Sequence, residues 1–60
     1  MNKYLVVRVD LNGKSSRLEC DGYFECRAFY DNSIRTESYS YLGWFEFSNN
    51  DWHIIQKYPS

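Results

Sequence analysis

Apolar and polar residues alternate along much of the chain, and this alternation predicts β-strands. The stretch from residue 39 to 47, YSYLGWFEF, carries five aromatic residues in nine positions. Successive side chains of a strand point to opposite faces of its sheet. Phe45 and Phe47 therefore lie on one face and Trp44 lies on the other. We expect the face that carries Phe45 to be the core.

The last part of the chain predicts a second strand that pairs with this one. The turn-forming residues SNND separate the aromatic stretch from WHIIQKY. A hairpin closed by this loop places Phe47 opposite Trp52 and Phe45 opposite Ile54. The expected core of this half of the protein consists of Tyr41, Phe45, Phe47, Trp52, Ile54 and Tyr58.

An Asn12-Gly13 pair lies between two further alternating stretches and predicts the first hairpin. Such a pair suits a two-residue type I′ turn, because both of its residues tolerate a positive φ. That turn would place Val7 opposite Leu18. The apolar face of this hairpin would then contain Leu5, Val7, Val9, Leu11, Leu18 and Cys20.

The middle of the chain allows two interpretations. A turn at residues 21 to 23 followed by a strand would keep Phe24, Cys26, Ala28 and Tyr30 on one core face. A turn at residues 31 to 33 would end that strand. Ser16 and Glu19, however, have the spacing of a helix capping box, so a helix near residues 17–30 is the alternative. We favour the strand, and hence an all-β fold: a small antiparallel meander of about five strands, forming a curled sheet or a partly open barrel.

Length and charge restrict the classes of function. Sixty residues make a single domain, 1–60, which buries only about 60% of the surface of its unfolded chain. The net charge of −1 arises from charges spread along the chain, whereas non-specific nucleic-acid binding needs clustered cations. The N-terminal apolar run is too short for a signal peptide or a membrane span. We therefore expect a complete cytoplasmic gene product of bacterial or phage type.

The residues that could carry chemistry are few. Cys20 and Cys26 are the two cysteines, and reduced, partly buried thiols are the expected state. A disulfide is the alternative if adjacent strands bring the two residues face to face. A zinc site usually needs four ligands, and only His53 could readily join them. His53 faces Glu46 in the predicted hairpin, where cross-strand pairing explains both residues better than acid–base catalysis does. We expect no enzyme activity, no metal and no cofactor.

Apolar residues on the face opposite the expected core suggest a contact surface. Trp44, which the predicted register places opposite Ile55, is its centre, and exposed apolar patches often mark contact sites. The predicted partner-binding residues are Trp44, Leu42, Ile55, Val6 and Phe29. The alternative is that residues 17–30 or the loop 31–38 fold across this face and bury it.

Three functions follow from these features. The first is a small non-catalytic module that binds a protein partner or a second copy of itself; an inhibitor or adaptor from a phage or other mobile element fits this description. The second is a single-stranded nucleic-acid-binding small β-barrel, in which bases stack on aromatic rings. The third is a redox or metal module that uses Cys20 and Cys26. We favour the first, and expect neither a membrane nor a small-molecule substrate.

Overall fold

Two β-hairpins and one α-helix make up the described part of the chain. The structure, a computed structural model, describes residues 3–36 and 38–59. Its strands form one antiparallel sheet in the order β2-β1-β3-β4, so the two hairpins meet along β1 and β3. The elements are β1 (Tyr4–Asp10), β2 (Ser15–Cys20), α1 (Tyr23–Thr36), β3 (Tyr39–Ser48) and β4 (Asp51–Tyr58). The predicted antiparallel sheet is present with four strands, and the all-β prediction missed the helix.

The first hairpin closes through a three-residue loop and not through the predicted two-residue turn. The Asp10 carboxylate accepts hydrogen bonds from the backbone N–H groups of Asn12 and Lys14, each at 2.9 Å. Within this loop only Gly13 takes a positive φ, 87°, as in hairpins that combine a type I turn with a bulge. The longer loop shifts the register by one residue and places Val6 opposite Leu18. Because a one-residue shift exchanges the faces of a strand, the predicted partners in β2 were wrong.

The second hairpin closes through a two-residue turn. Asn49 and Asn50 have φ values of 53° and 63°, which the type I′ turn requires at both central positions. The predicted pairs Phe47–Trp52 and Phe45–Ile54 are confirmed.

Further along this hairpin, a β-bulge displaces the predicted register. Trp44 pairs with Gln56 and Phe45 with Ile54, so Ile55 is the extra residue of β4. Beyond the bulge, Tyr58 pairs with Leu42 and not with Tyr41 as predicted.

Helix α1 occupies the segment for which a strand was favoured. The Gly22 carbonyl accepts the N–H of Cys26 at 3.2 Å, so Gly22 is the N-cap. Cys26, Tyr30 and Ser33 are the buried residues of the helix, at the i, i+4, i+7 spacing of one face. The strand prediction failed because Cys26 and Tyr30 fit a period of two as well as a helical period. The turn predicted at residues 31 to 33 lies inside the helix, and the helix begins six residues later than the capping box suggested.

The core lies between α1 and one face of the sheet. Arg8 lies at one margin of this core, with its guanidinium carbon 4.6 Å from the Phe29 ring centroid and 5.1 Å from that of Tyr39. Arg8 also donates a hydrogen bond of 2.9 Å to the Tyr39 hydroxyl. The cluster of buried residues consists of Val6, Cys20, Cys26, Tyr30, Leu42 and Trp44. Within the described ranges, no helix has the length and apolar character needed to cross a membrane.

Candidate protein-contact surface

The structure places three of the five predicted partner-binding residues in the core. Trp44 is 2% exposed, Leu42 is 1% exposed and Val6 is fully buried. The prediction that they form an exposed surface is therefore wrong. The physical reason is that α1, whose residues 23–36 overlap both segments named as possible covers, packs across this face of the sheet.

The other two predicted residues do not form a surface of their own. Phe29 is half-buried beneath the Arg8 guanidinium. Ile55 is 39% exposed, but it is the bulged residue of an edge strand and no longer faces Trp44. The five residues are thus not brought together as a contact site.

The opposite face of the sheet has no second layer among the described residues, and we call it the open face. Alternation along β1 and β3 assigns its members, because Val6 and Trp44 point toward α1. Strand pairing extends the assignment to the edge strands. Its apolar members are Leu5, Val7, Val9, Tyr41, Phe45, Phe47, Trp52 and Ile54.

Gly43 lies at the centre of the open face, opposite Val7. A Cβ atom at this position would lie 2.6 Å from the Tyr41 hydroxyl oxygen and 2.8 Å from an edge carbon of the Phe45 ring. The two rings therefore lie over the backbone of Gly43. They fill the space that a larger residue would take, and they give the open face a continuous aromatic centre.

A second aromatic contact extends this surface toward the β3–β4 turn. The rings of Phe47 and Trp52 are 5.2 Å apart between centroids, at an interplanar angle of 63°, an edge-to-face arrangement favourable for aromatic pairs. Ile54, next along the same face of β4, is 51% exposed. This end of the open face is therefore ordered by ring packing and exposed to solvent at Ile54.

Among the residues of the four strands, the charged residues of the open face lie on the edge strands β2 and β4. Arg17 and Glu19 of β2 approach each other to 4.0 Å, and Lys57 of β4 pairs with Gly43 across the sheet. An apolar centre with a charged rim is the usual anatomy of a protein–protein interface.

The residues considered for catalysis or metal binding make other contacts. Glu46 and His53 are cross-strand partners as predicted, yet a carboxylate oxygen of Glu46 lies 3.5 Å from the Tyr4 hydroxyl. A ring nitrogen of His53 lies 3.0 Å from the Ser48 carbonyl oxygen. Burial and the neighbouring Glu46 carboxylate raise the pKa of Tyr4. Across residues 3–36 and 38–59, no three His, Cys, Asp or Glu residues are grouped so that they could hold a metal ion.

Comparison with known proteins finds no similar protein. No protein-family model, curated protein or solved structure matches the chain. The candidate site therefore depends on the geometry of this chain alone.

Sequence reasoning assigned the open-face residues to the core and so missed them as candidates. The signal that could have found them is that β1 and β3 are apolar on both faces. Val6 and Val7 are adjacent in β1, and Trp44 and Phe45 are adjacent in β3. A single helix can cover only one face of a four-stranded sheet, so one of the two apolar faces had to remain open.

Proposed function

We propose that the chain is a small, non-catalytic protein-binding module and that the open face is its contact surface. The observation that carries this proposal is a sheet face with eight apolar residues, three of them from the central strand β1, on which no described element packs. A solvated sheet face normally alternates to polar residues.

The dimensions of the open face suit a protein partner. Four strands about 4.8 Å apart and about 20 Å long present roughly 400 Å² on one side. This is within the range of about 300–600 Å² for the largest, often functional, apolar patch of a monomer. It is about half of the roughly 800 Å² that each partner buries in a standard interface. The open face would therefore form the centre of an interface whose rim includes the edge strands.

The charge of the open face favours an apolar protein surface over nucleic acid. The charges that its strands carry are those of Arg17, Glu19 and Lys57, and Glu19 offsets one of these two cations. Aromatic rings on a sheet can stack with bases, but such surfaces also need a basic groove for the phosphates. The expected partner is a protein with a flat apolar contact area and little net charge, as an adaptor or inhibitor would contact.

The test introduces the same charged residue at two exposed apolar positions, one on the open face and one on α1. Ile54→Glu puts a carboxylate on the open face at a residue that is 51% exposed, and Phe24→Glu puts one on α1 at a residue that is 75% exposed. Each variant and the parent chain would be immobilised and incubated with a bacterial lysate. Captured proteins would then be purified and their affinities measured in solution. Circular dichroism confirms that each chain is folded.

We expect a partner that binds the parent chain and Phe24→Glu equally and binds Ile54→Glu at least about tenfold more weakly. Trp52→Ser, next to Ile54 on the open face, should weaken the same complex. A partner that tolerates Ile54→Glu, or the capture of no specific protein, would contradict the proposal.

Two further measurements assign the class of partner. Sedimentation of the purified chain reports self-association, and loss of a dimer in Ile54→Glu alone would identify a second copy as the partner. A single-stranded oligonucleotide that binds in a strongly salt-dependent way, and is lost in Ile54→Glu, would establish the nucleic-acid function instead.

A further inference from the structure

The two cysteines are brought together by the connection between β2 and α1. Cys20 is the last residue of β2, and Cys26 lies in the first turn of α1. Only Asp21 and Gly22 separate the two elements. Because the helix begins at once and folds back over the sheet, its first turn lies against the end of β2. Cys20 and Cys26 are close in sequence, but they come together in space only because the chain reverses direction between β2 and α1.

The two thiol groups are direct neighbours in the core. The thiols of Cys20 and Cys26 influence each other's pKa, which fits two side chains that lie close together. Cys20 is 2% exposed and Cys26 is fully buried, and both belong to the cluster that contains Val6 and Trp44. Both are free thiols in this structure.

The surroundings of the pair suit a disulfide better than a metal. Among the residues described, no third His, Cys, Asp or Glu completes a group that could hold a metal ion with them. Glu25 influences the pKa of the Cys20 thiol, but Glu25 is an exposed residue. Two adjacent thiols without a third ligand have one simple joint reaction, which is oxidation to a disulfide.

We propose that Cys20 and Cys26 are a modification site, at which a small-molecule disulfide such as oxidised glutathione converts them into a reversible intramolecular disulfide. The Cys20 thiolate attacks one sulfur of the oxidant and breaks its S–S bond, which gives a mixed disulfide and releases one molecule of reduced thiol. The Cys26 thiolate then attacks the Cys20 sulfur and releases the second molecule. Two protons leave the protein, and two electrons pass to the oxidant.

The position of each cysteine sets the order of these steps. Cys20 ends an edge strand, whereas Cys26 lies on the buried face of α1. Burial raises the pKa of both thiols, and it raises that of Cys26 to about 12, so the thiolate of Cys26 is the more strongly suppressed. Cys20 is therefore the residue that reacts first with the oxidant, and Cys26 resolves the mixed disulfide. Burial slows both steps, so the equilibrium rather than the rate is the informative measurement.

The disulfide would join an edge strand to the helix that covers the core. A crosslink of this kind restricts the unfolded chain, so the oxidised protein should unfold at a higher denaturant concentration than the reduced protein. This inference does not depend on the proposed function, because both cysteines lie on the helix side of the sheet and the open face is on the other side.

The test equilibrates the folded chain with mixtures of reduced and oxidised glutathione and then traps the free thiols. Tryptic cleavage after Arg17 and Arg27 yields the peptide 18–27, which contains both cysteines. The intramolecular disulfide lowers the mass of this peptide by two hydrogen atoms. It also holds the peptide together after chymotryptic cleavage at Tyr23 or Phe24. Cys20→Ser and Cys26→Ser are the matched controls, each with one thiol.

We expect the parent chain to lose both thiols together, to form no disulfide between chains and to keep its far-ultraviolet circular dichroism. The single-cysteine variants should form at most a mixed disulfide with glutathione. To form it, these variants should need a ratio of oxidised to reduced glutathione at least about tenfold higher, because they lack the neighbouring thiol. Independent glutathionylation of the two cysteines, a disulfide between chains, or oxidation only in denaturant would each overturn the proposal.

Discussion

The Tyr41 hydroxyl oxygen lies over Gly43, only 2.6 Å from the position that a Cβ atom would occupy there. The Phe45 ring covers the same glycine from the other side along the strand. The central strand pair thus depends on a residue without a side chain, at the point where two aromatic rings of the open face meet.

Gly43→Ala should lower the free energy of unfolding by about 1–3 kcal/mol, because the added methyl group must displace the Tyr41 and Phe45 rings. Urea denaturation followed by circular dichroism measures this change. Gly22→Ser is the control, since an added Cβ there would meet only the Glu25 Cβ, at 3.9 Å. It should leave stability equal or slightly higher, as Ser is a good N-cap. Equal effects of the two substitutions would show that the rings do not occupy the space over Gly43.

Trp44→Ala should destabilise the protein far more than Phe45→Ala does. Trp44 is 2% exposed beneath α1, and removal of a buried Trp costs about 3–5 kcal/mol. That is comparable with the total stability of a domain this small, so the variant should be largely unfolded at 25 °C. Phe45 is half-buried on the open face, and its truncation should leave a folded chain. Far-ultraviolet circular dichroism distinguishes the two, and the reverse order would mean that the faces are exchanged.

Tyr30→Phe should leave stability unchanged or raise it by up to about 1 kcal/mol. The Tyr30 hydroxyl is buried and has no hydrogen-bond partner among the described residues, and an unpaired buried polar group is costly. Thermal unfolding at neutral pH measures the difference, with Tyr39→Phe as control. That control removes the hydroxyl which accepts the 2.9 Å hydrogen bond from Arg8 and should be destabilising. A loss of more than about 1 kcal/mol in Tyr30→Phe would reveal a hydrogen bond to its hydroxyl.

Stability should decline at alkaline pH. Burial raises the pKa of Cys26 from 9.0 to about 12. At a pH between these values the unfolded chain releases this proton while the folded chain retains it, so the free energy of unfolding falls as pH increases. The stability that the Cys26 thiol contributes is complete below about pH 8.5, and it is lost as the pH approaches the pKa of Cys26 in the folded chain. Urea denaturation under reducing conditions should show a shallower decline for Cys26→Ser, in which this group cannot titrate. Burial also raises the pKa of Tyr30, but that group is common to both chains.

The helix was the part of the fold that local pattern could not decide. Cys26, Phe29, Tyr30 and Ile34 fit a helical stripe, while Phe24, Cys26, Ala28 and Tyr30 fit a strand. Short apolar stretches often satisfy both periods, and the aromatic content favoured the strand. The competing helix prediction had the right type of element, but the capping signal at Ser16 and Glu19 lies in β2.

The register of the first hairpin shows a second limit. Asn12-Gly13 indicated the turn correctly, but the Asp10 side chain sets its length by bonding two backbone N–H groups beyond it. The extra loop residue exchanged the faces of β2. The β3–β4 hairpin was predicted correctly up to its bulge, because Asn49 and Asn50 both tolerate the positive φ of a two-residue turn.

The sequence by itself determined that Trp44 and Phe45 lie on opposite faces of a strand, since neighbouring side chains in a strand must do so. It did not determine which of those faces is the core, because both are apolar. Only the tertiary structure decided this, through the placement of α1 over Val6 and Trp44. One helix can bury one face of the sheet, and the open face remained without a second layer among the described residues.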